Sequence, residues 1–244
     1  FVDFPTYLHG NNHGSLAKIN GSYYFFGHRH SNGNRFSRQA WAGKLNLSND
    51  EATGDPIIEP MDFTSCGIAD SLDAYAVTNA NSVVYLLEAA DHPAPGTETG
   101  PHAECAENTP FVIANRTRDA AHASYITNLK SGNIAGFKYL GFGEAAPSTV
   151  KVLVSKESSD ADGSIKVYLD APTEDAGGAL IGTVDVSNDS VAASVQTEEG
   201  SDGKTWYWVE GTLDAPATDI HAVYFVFESE GTGNICEFDA FQFQ

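Results

Sequence analysis

The chain is short of positive charge, of cysteine and of long apolar runs, and each shortage excludes something. Thirteen Lys and Arg stand against 33 Asp and Glu, a formal net charge of −20. A surface that acidic repels phosphates, so nucleic acid is not expected as a partner, and an anionic membrane surface is disfavoured on the same ground. No run approaches the roughly 18 apolar residues of a membrane helix, so no membrane span is expected. No basic segment followed by an apolar stretch marks a signal peptide. The first residue is Phe1 rather than Met, which reads as a processed or excised piece. Three cysteines make no disulfide scaffold: Cys66 and Cys105 stand in loop-like sequence and are able to pair, while Cys236 lies in a strand-like run and reads as a buried thiol. Few Lys, a single Met and many Gly, Asn, Asp and Ser fit a secreted, extracellular protein. Sequons at Asn20, Asn46, Asn115 and Asn188 matter only if a eukaryotic secretory pathway makes the chain.

Acidic residues are missing from one end. Residues 1–49 hold Lys18, Arg29, Arg35, Arg38 and Lys44 against Asp3 alone, whereas residues 50–244 carry the other 32 acids and 8 bases. So sharp a shift suggests two structural units with different tasks. Helical periodicity is nearly absent as well. Apolar residues come in short runs broken by Gly, Asn, Asp and Ser, the pattern of many short strands. Runs 15–19 and 22–28 flank Asn20-Gly21, a dipeptide that accepts positive φ and suits a two-residue hairpin. A second turn at Ser31-Asn32-Gly33-Asn34 leads into 35–42, so residues 1–45 read as an antiparallel meander. Residues 46–75 read as mostly loop with a strand near Ile57, and 83–88 as a short apolar strand. The Pro- and Gly-rich stretch around His92-Pro93-Ala94-Pro95-Gly96 marks a linker over 91–109 between a unit at 1–90 and another at 110–244.

In the second unit, strands are expected at 124–129, 135–142, 150–155, 164–170, 179–186, 205–213, 222–228 and 235–243. Eight strands separated by turn residues argue a β-sandwich or jelly roll. Strict alternation puts Val223, Phe225 and Phe227 on one face. It puts Phe137 and Tyr139 together, opposite Lys138, Leu140 and Phe142.

Chemistry-bearing residues concentrate in Gly10-Asn11-Asn12-His13-Gly14-Ser15, in His28-Arg29-His30, and at Arg38. Strand ends in a meander converge, so these side chains are able to share one end of the sheet. Arg38 is expected either buried against a carboxylate or lining a pocket, or in a plain solvated role. His28 and His30 share a face but lack a local third metal ligand. Trp206 and Trp208 share one face of their strand, with Tyr207 on the other. Either set is able to stack on a sugar or simply to pack the sandwich.

Gly10-Asn11-Asn12-His13-Gly14-Ser15, Asn20-Gly21-Ser22-Tyr23-Tyr24-Phe25-Phe26-Gly27-His28-Arg29, Phe36-Ser37-Arg38-Gln39-Ala40 and Met61-Asp62-Phe63-Thr64-Ser65-Cys66-Gly67 together resemble the last part of a glycoside hydrolase family 43 catalytic domain. Members are five-bladed β-propellers acting on arabinoxylan, arabinan or xylo-oligosaccharides. The resemblance implies that His13 sits near the propeller axis, beneath the sugar and close to a central calcium, and that Arg38 hydrogen-bonds the innermost sugar. It also implies an inverting mechanism with an Asp base, a Glu acid and a second, tuning Asp, all on earlier blades that this sequence does not contain. Inversion needs two carboxyls about 6.5–9.5 Å apart, and no such pair stands near His13 and Arg38. The missing blades and the catalytic carboxylates are therefore expected on a preceding polypeptide, the N-terminal half of the same enzyme.

Tyr125-Ile126-Thr127-Asn128-Leu129, Gly136-Phe137-Lys138-Tyr139-Leu140-Gly141-Phe142, Ser164-Ile165-Lys166-Val167-Tyr168-Leu169-Asp170-Ala171-Pro172, Ile181-Gly182-Thr183, His221-Ala222-Val223-Tyr224-Phe225-Val226-Phe227 and Phe238-Asp239-Ala240-Phe241 are similar to a carbohydrate-binding module of family 6. That likeness implies a calcium-containing β-jelly roll that binds xylan or another β-glycan, with Asp239 as a calcium ligand and Trp206, Tyr207 and Trp208 as aromatic candidates for the sugar. Two departures weaken the usual cleft: Glu237 stands where Asn is common, and an aromatic is replaced around Asn133-Ile134-Ala135. The expected whole is all-β, a partial β-propeller followed by a β-jelly roll. Its expected task is to hold xylan or arabinoxylan for a glycoside hydrolase of arabinofuranosidase or xylosidase type. The alternative is a non-catalytic glycan-binding protein, and a further possibility is a scaffold with no sugar ligand.

Overall fold

The computed structural model describes residues 13–32, 34–87, 110–114 and 121–244. The expected linker at 91–109 lies outside them. Three strands open the chain: β1 (Ser15–Ile19), β2 (Ser22–Ser31) and β3 (Asn34–Leu45) form an antiparallel sheet in that order. The β1–β2 turn follows its dipeptide. Asn20 has φ 48° and Gly21 φ 87°, the two positive values a twisted two-residue hairpin requires. Trp41 on β3 packs against Phe25 and Phe63 with ring centroids 5.6 and 3.7 Å away, so the loop after β3 covers one face of this sheet. A small hairpin follows, β4 (Leu47–Asn49) with β5 (Pro56–Ile58).

The remaining strands build a two-layer sandwich. They are β6 (Leu72–Asp73), β7 (Thr78–Asn79), β8 (Tyr85–Leu87), β9 (Phe111–Ala114), β10 (Ser124–Leu129), β11 (Ile134–Gly143), β12 (Thr149–Ser155), β13 (Ser164–Leu169), β14 (Ala179–Asp185), β15 (Thr197–Glu199), β16 (Thr205–Thr212), β17 (Asp219–Glu228) and β18 (Cys236–Phe243). One sheet runs β15-β16-β12-β18-β10-β9 with β7 added on β18. The other runs β14-β13-β17-β11-β6 with β8 added on β11. All eight strands expected between residues 124 and 243 are present. A five-residue helix, α1 (Asn188–Ala192), is capped by the Ser187 side chain, which accepts from Ser190 N–H. No helix among the described residues is long and apolar enough to cross a membrane.

Alternation builds the core, except where the β12–β18 register shifts and sets Phe238 and Phe241, three residues apart, on one face. Phe225 and Phe227 of β17 face Phe238, Phe241 and Phe243 of β18 across the sandwich, and all five are fully buried. Phe137 meets Phe241 at 4.8 Å and Phe225 at 5.8 Å in edge-on contacts, the geometry that aromatic quadrupoles favour. One expectation fails here. Phe137, Leu140 and Phe142 all point into this core while Tyr139 sits outside it, because the β11–β17 register shifts between Phe137 and Leu140. A bulge inserts a residue and exchanges the faces beyond it.

Short pieces ahead of the expected linker also belong to this sandwich. β6 pairs parallel with β11, β7 with β18 and β8 with β11. The tip of the β2–β3 hairpin docks beside them. Arg29 is 8% exposed and donates to the carbonyls of Val83 and Asn81, with Nε and Nη2 also on Gln39 Oε1 at 3.0 and 2.9 Å. Asn32 donates its backbone N–H to Val112 O at 2.7 Å. Its side chain accepts from Ala114 N at 2.7 Å and donates to Ala114 O at 3.0 Å. The amide imitates a peptide group and covers the open edge of β9. Arg29→Met would leave buried carbonyls without their donor. A loss of about 2–4 kcal/mol is expected, read from the shift of the urea unfolding curve; a loss under about 0.5 kcal/mol, the scale of a neutral surface change, would show that this junction contributes little.

Candidate glycan-binding face

The two sets of candidate residues lie on different sheets. On the first sheet, β2 and β3 place His30 opposite Arg38 and His28 opposite Ala40, so His28 and Arg38 share a face. The His13 ring meets that of His28 at 5.9 Å, edge to face. His13 and Arg38 are thus brought to one face. Arg38 is exposed rather than buried, and the guanidinium sequestered on this sheet is that of Arg29.

On the sandwich, the outer face of the β9–β10–β18–β12–β16 sheet carries a polar cluster. Alternation along β16 turns Trp206 and Trp208 outward, onto Tyr125, Leu153 and Ala240, and turns Tyr207 against the phenylalanine core. Tyr207 is half-buried and packs against the core, and Trp206 is 0% exposed, with no open ring face for a sugar. Trp206 is enclosed by His122 at 5.6 Å and Tyr125 at 5.1 Å, and its Nε1 is buried without a hydrogen-bond partner among the described residues. Trp208 remains partly exposed, its Nε1 donating to Glu198 Oε1 at 2.6 Å.

Glu198 continues the chain of contacts. Its Oε2 lies 3.1 Å from His122 Nε2, and His122 Nδ1 lies 2.7 Å from Asp239 Oδ2. A carboxylate only accepts, so His122 serves both acids at once only with a proton on each nitrogen or with one acid protonated. Burial pushes the Asp239 carboxyl above the usual carboxylate range, against the hydrogen bond and charge of His122. Asp239 faces the His122 imidazole, and the ring next to His13 is that of His28. Among the described residues no group of three or more His, Cys, Asp or Glu is gathered together. Cys66 is a buried free thiol, as is Cys236; Cys105 lies outside the described residues.

Beside His122 opens a cavity of about 360 Å³, lined by Ile113, Ala114, His122, Ala123, Tyr125, Ser201 and Asp202. A tight turn shapes its rim. Gly200 N–H donates to Lys204 O at 2.8 Å and Gly203 has φ 82°, which sets Asp202 and Lys204 on either side. Lys204 Nζ pairs with Glu237 Oε2 at 2.8 Å and lies over the Tyr125 ring, 6.0 Å from its centroid. Glu237 Oε1 accepts from Thr127 Oγ1 at 3.1 Å. Burial first, then the charge of Glu237, pushes the Tyr125 hydroxyl up to about 12 despite Lys204. Tyr125 falls inside a recognisable motif and Glu237 stands out as a departure from one, but His122, Glu198 and Lys204 follow no local pattern. The positive φ of His122, 52°, is a conformation that sequence does not announce.

The outer face of this sheet thus carries a small cavity and the half-exposed ring of Trp208. Residues 103–244, more than half of the chain, match the family model described as carbohydrate binding module (family 6), and the chain belongs to that family. Along 96% of its length it is similar to a xylosidase/arabinosidase of Thermoclostridium stercorarium, at 28% identity over 242 residues. It is also similar to an arabinoxylan arabinofuranohydrolase of Paenibacillus polymyxa, at 32% over 118 residues, 48% of this chain and 16% of that protein. The chain spans 43% of the Thermoclostridium protein. A solved family 43 arabinoxylan arabinofuranohydrolase from Bacillus subtilis, in complex with cellotetraose, superposes over 96% of this chain and 41% of its own with a TM-score of 0.53 at 20% identity, a likeness of fold.

The tight turn supplies a test. A Cβ on Gly200 would stand 2.7 Å from both Trp206 Nε1 and Asp202 Oδ1, against a ring with no room to yield. Gly200→Ala is expected to cost about 1–3 kcal/mol and to shift the tryptophan fluorescence; thermal melting and an emission spectrum check it, and an unchanged melt would mean that the turn relaxes freely.

Proposed function

We propose that this chain is the glycan-binding end of a secreted glycoside hydrolase of arabinofuranosidase or xylosidase type that acts on arabinoxylan or xylan with inversion. The single observation that carries the reading is the likeness to a xylosidase/arabinosidase, which covers 96% of this chain and so takes in both the first sheet and the jelly roll. In this reading the jelly roll holds the polysaccharide. His13 and Arg38 contribute to the sugar subsite of a propeller whose catalytic acid and base lie on polypeptide outside these residues. The distribution of acids supports that division, since Asp3 is the only one in the first 49 residues. An exposed guanidinium is also suited to clamping sugar hydroxyls beside a carboxylate supplied from elsewhere.

The Arg29 and Asn32 contacts give the binding role its geometry. A jelly roll fixed on the first sheet keeps a captured chain at a set distance and direction, which raises the local substrate concentration more than a loose tether does. Electrophoresis in gels containing arabinoxylan is expected to retard the chain. Trp208→Ala is expected to weaken binding about tenfold through loss of the half-open ring. Absence of retardation for the unaltered chain would overturn the binding role. Cleavage of an aryl arabinofuranoside by this chain alone would overturn the placing of the acid and base.

A further inference from the structure

We propose that Lys204 is a displaceable cover on the jelly-roll cavity, and that a neutral sugar binds there by taking its place over Tyr125. The inference rests on the glycan-binding reading above and specifies how its site opens. Tyr125 is the phenolic ring on the cavity wall, and stacking against a sugar's C–H face needs an open ring face. That face is covered: Lys204 Nζ lies over the ring at 6.0 Å, Trp206 packs against it at 5.1 Å, and the residue is 8% exposed.

The two covers differ in kind. Trp206 is fully buried and fixed by its neighbours. Lys204 reaches the ring on a flexible four-carbon stem, and its side chain is 30% exposed. Its anchor, Glu237, is the partner that pins the ammonium in place at 2.8 Å. When Lys204 swings into solvent, Glu237 Oε1 keeps the Thr127 hydroxyl as a donor, and the buried Oε2 is left as an acceptor for a sugar hydroxyl. The vacated space joins a cavity whose wall already offers an apolar side, Ile113 and Ala114, and polar groups for hydroxyls, Ser201 and Asp202. A polar rim on an apolar floor suits an uncharged pentose or hexose unit. The lysine end of the pair is partly exposed, so salt weakens the contact, and sugar binding competes with a contact whose strength the solution controls.

Titration calorimetry with a linear xylo-oligosaccharide tests this. Lys204→Ala is expected to raise affinity about three- to tenfold, the scale of one cation–π contact. The unaltered chain is expected to bind more tightly as salt rises, whereas the alanine variant is expected to show no such dependence. Glu237→Gln keeps the shape and the Thr127 contact, so it is expected to fold normally and to gain affinity in the same direction. If the unaltered chain binds and Lys204→Ala binds equally or more weakly, the cover is overturned and the glycan-binding reading stands. If neither the unaltered chain nor either variant binds, both fall. Binding by the variants alone supports the cover and overturns the binding role of the unaltered chain.

Discussion

The face that meets solvent on the jelly roll depends on the phenylalanine layer inside it. Phe137, Phe225, Phe227, Phe238, Phe241 and Phe243 are all fully buried between the two sheets, and they interlock edge to face. Because side chains alternate along a strand, fixing these rings inward fixes their neighbours outward. Tyr207 pressed into the core commits Trp206 and Trp208 to the opposite face, and Ile126 in the core does the same for Tyr125. The polar surface is a consequence of an apolar one. A slip of one residue in β16 would bury the wrong rings and abolish the cavity wall together with the core.

On that outer face, electrostatics decides what is open. Asp239 and Glu198 clasp His122 from two sides, and Glu198 also holds Trp208, so four side chains from separate parts of the chain restrain one another. Lys204 and Glu237 form a second contact over Tyr125, with the lysine side chain 30% exposed and the glutamate 15%. It meets solvent through its lysine end, whereas His122 and Asp239 of the first cluster are the enclosed partners there.

The junction with the first sheet is built from backbone groups. Arg29 spends its donors on carbonyls, and Asn32 imitates a peptide at the edge of β9. Neither contact needs a matching side chain on the other side, so no pairing pattern betrays it in the sequence. The sheet bearing His13 and Arg38 is joined to the sandwich by the tip of the hairpin that carries Arg38.

Local geometry was legible in the residues themselves. Asn20-Gly21 dictates its turn because both residues accept positive φ, and the alternating apolar runs dictate the strands and most of their inward faces, since a period of two permits only one burial pattern. The motifs around Gly136, Tyr168 and Phe238 also made the jelly-roll family legible. Tertiary structure alone decided which rings stay available. Trp206 and Trp208 are equivalent in spacing, yet packing from β10 and from the turn after β15 closes one and leaves the other half-open. The bulge in β11, the borrowed strands β6, β7 and β8, and the placing of Lys204 over Tyr125 were likewise invisible in the sequence. Each depends on a residue distant in the chain, and burial and charge pairing are properties of what a side chain meets, not of the residue itself.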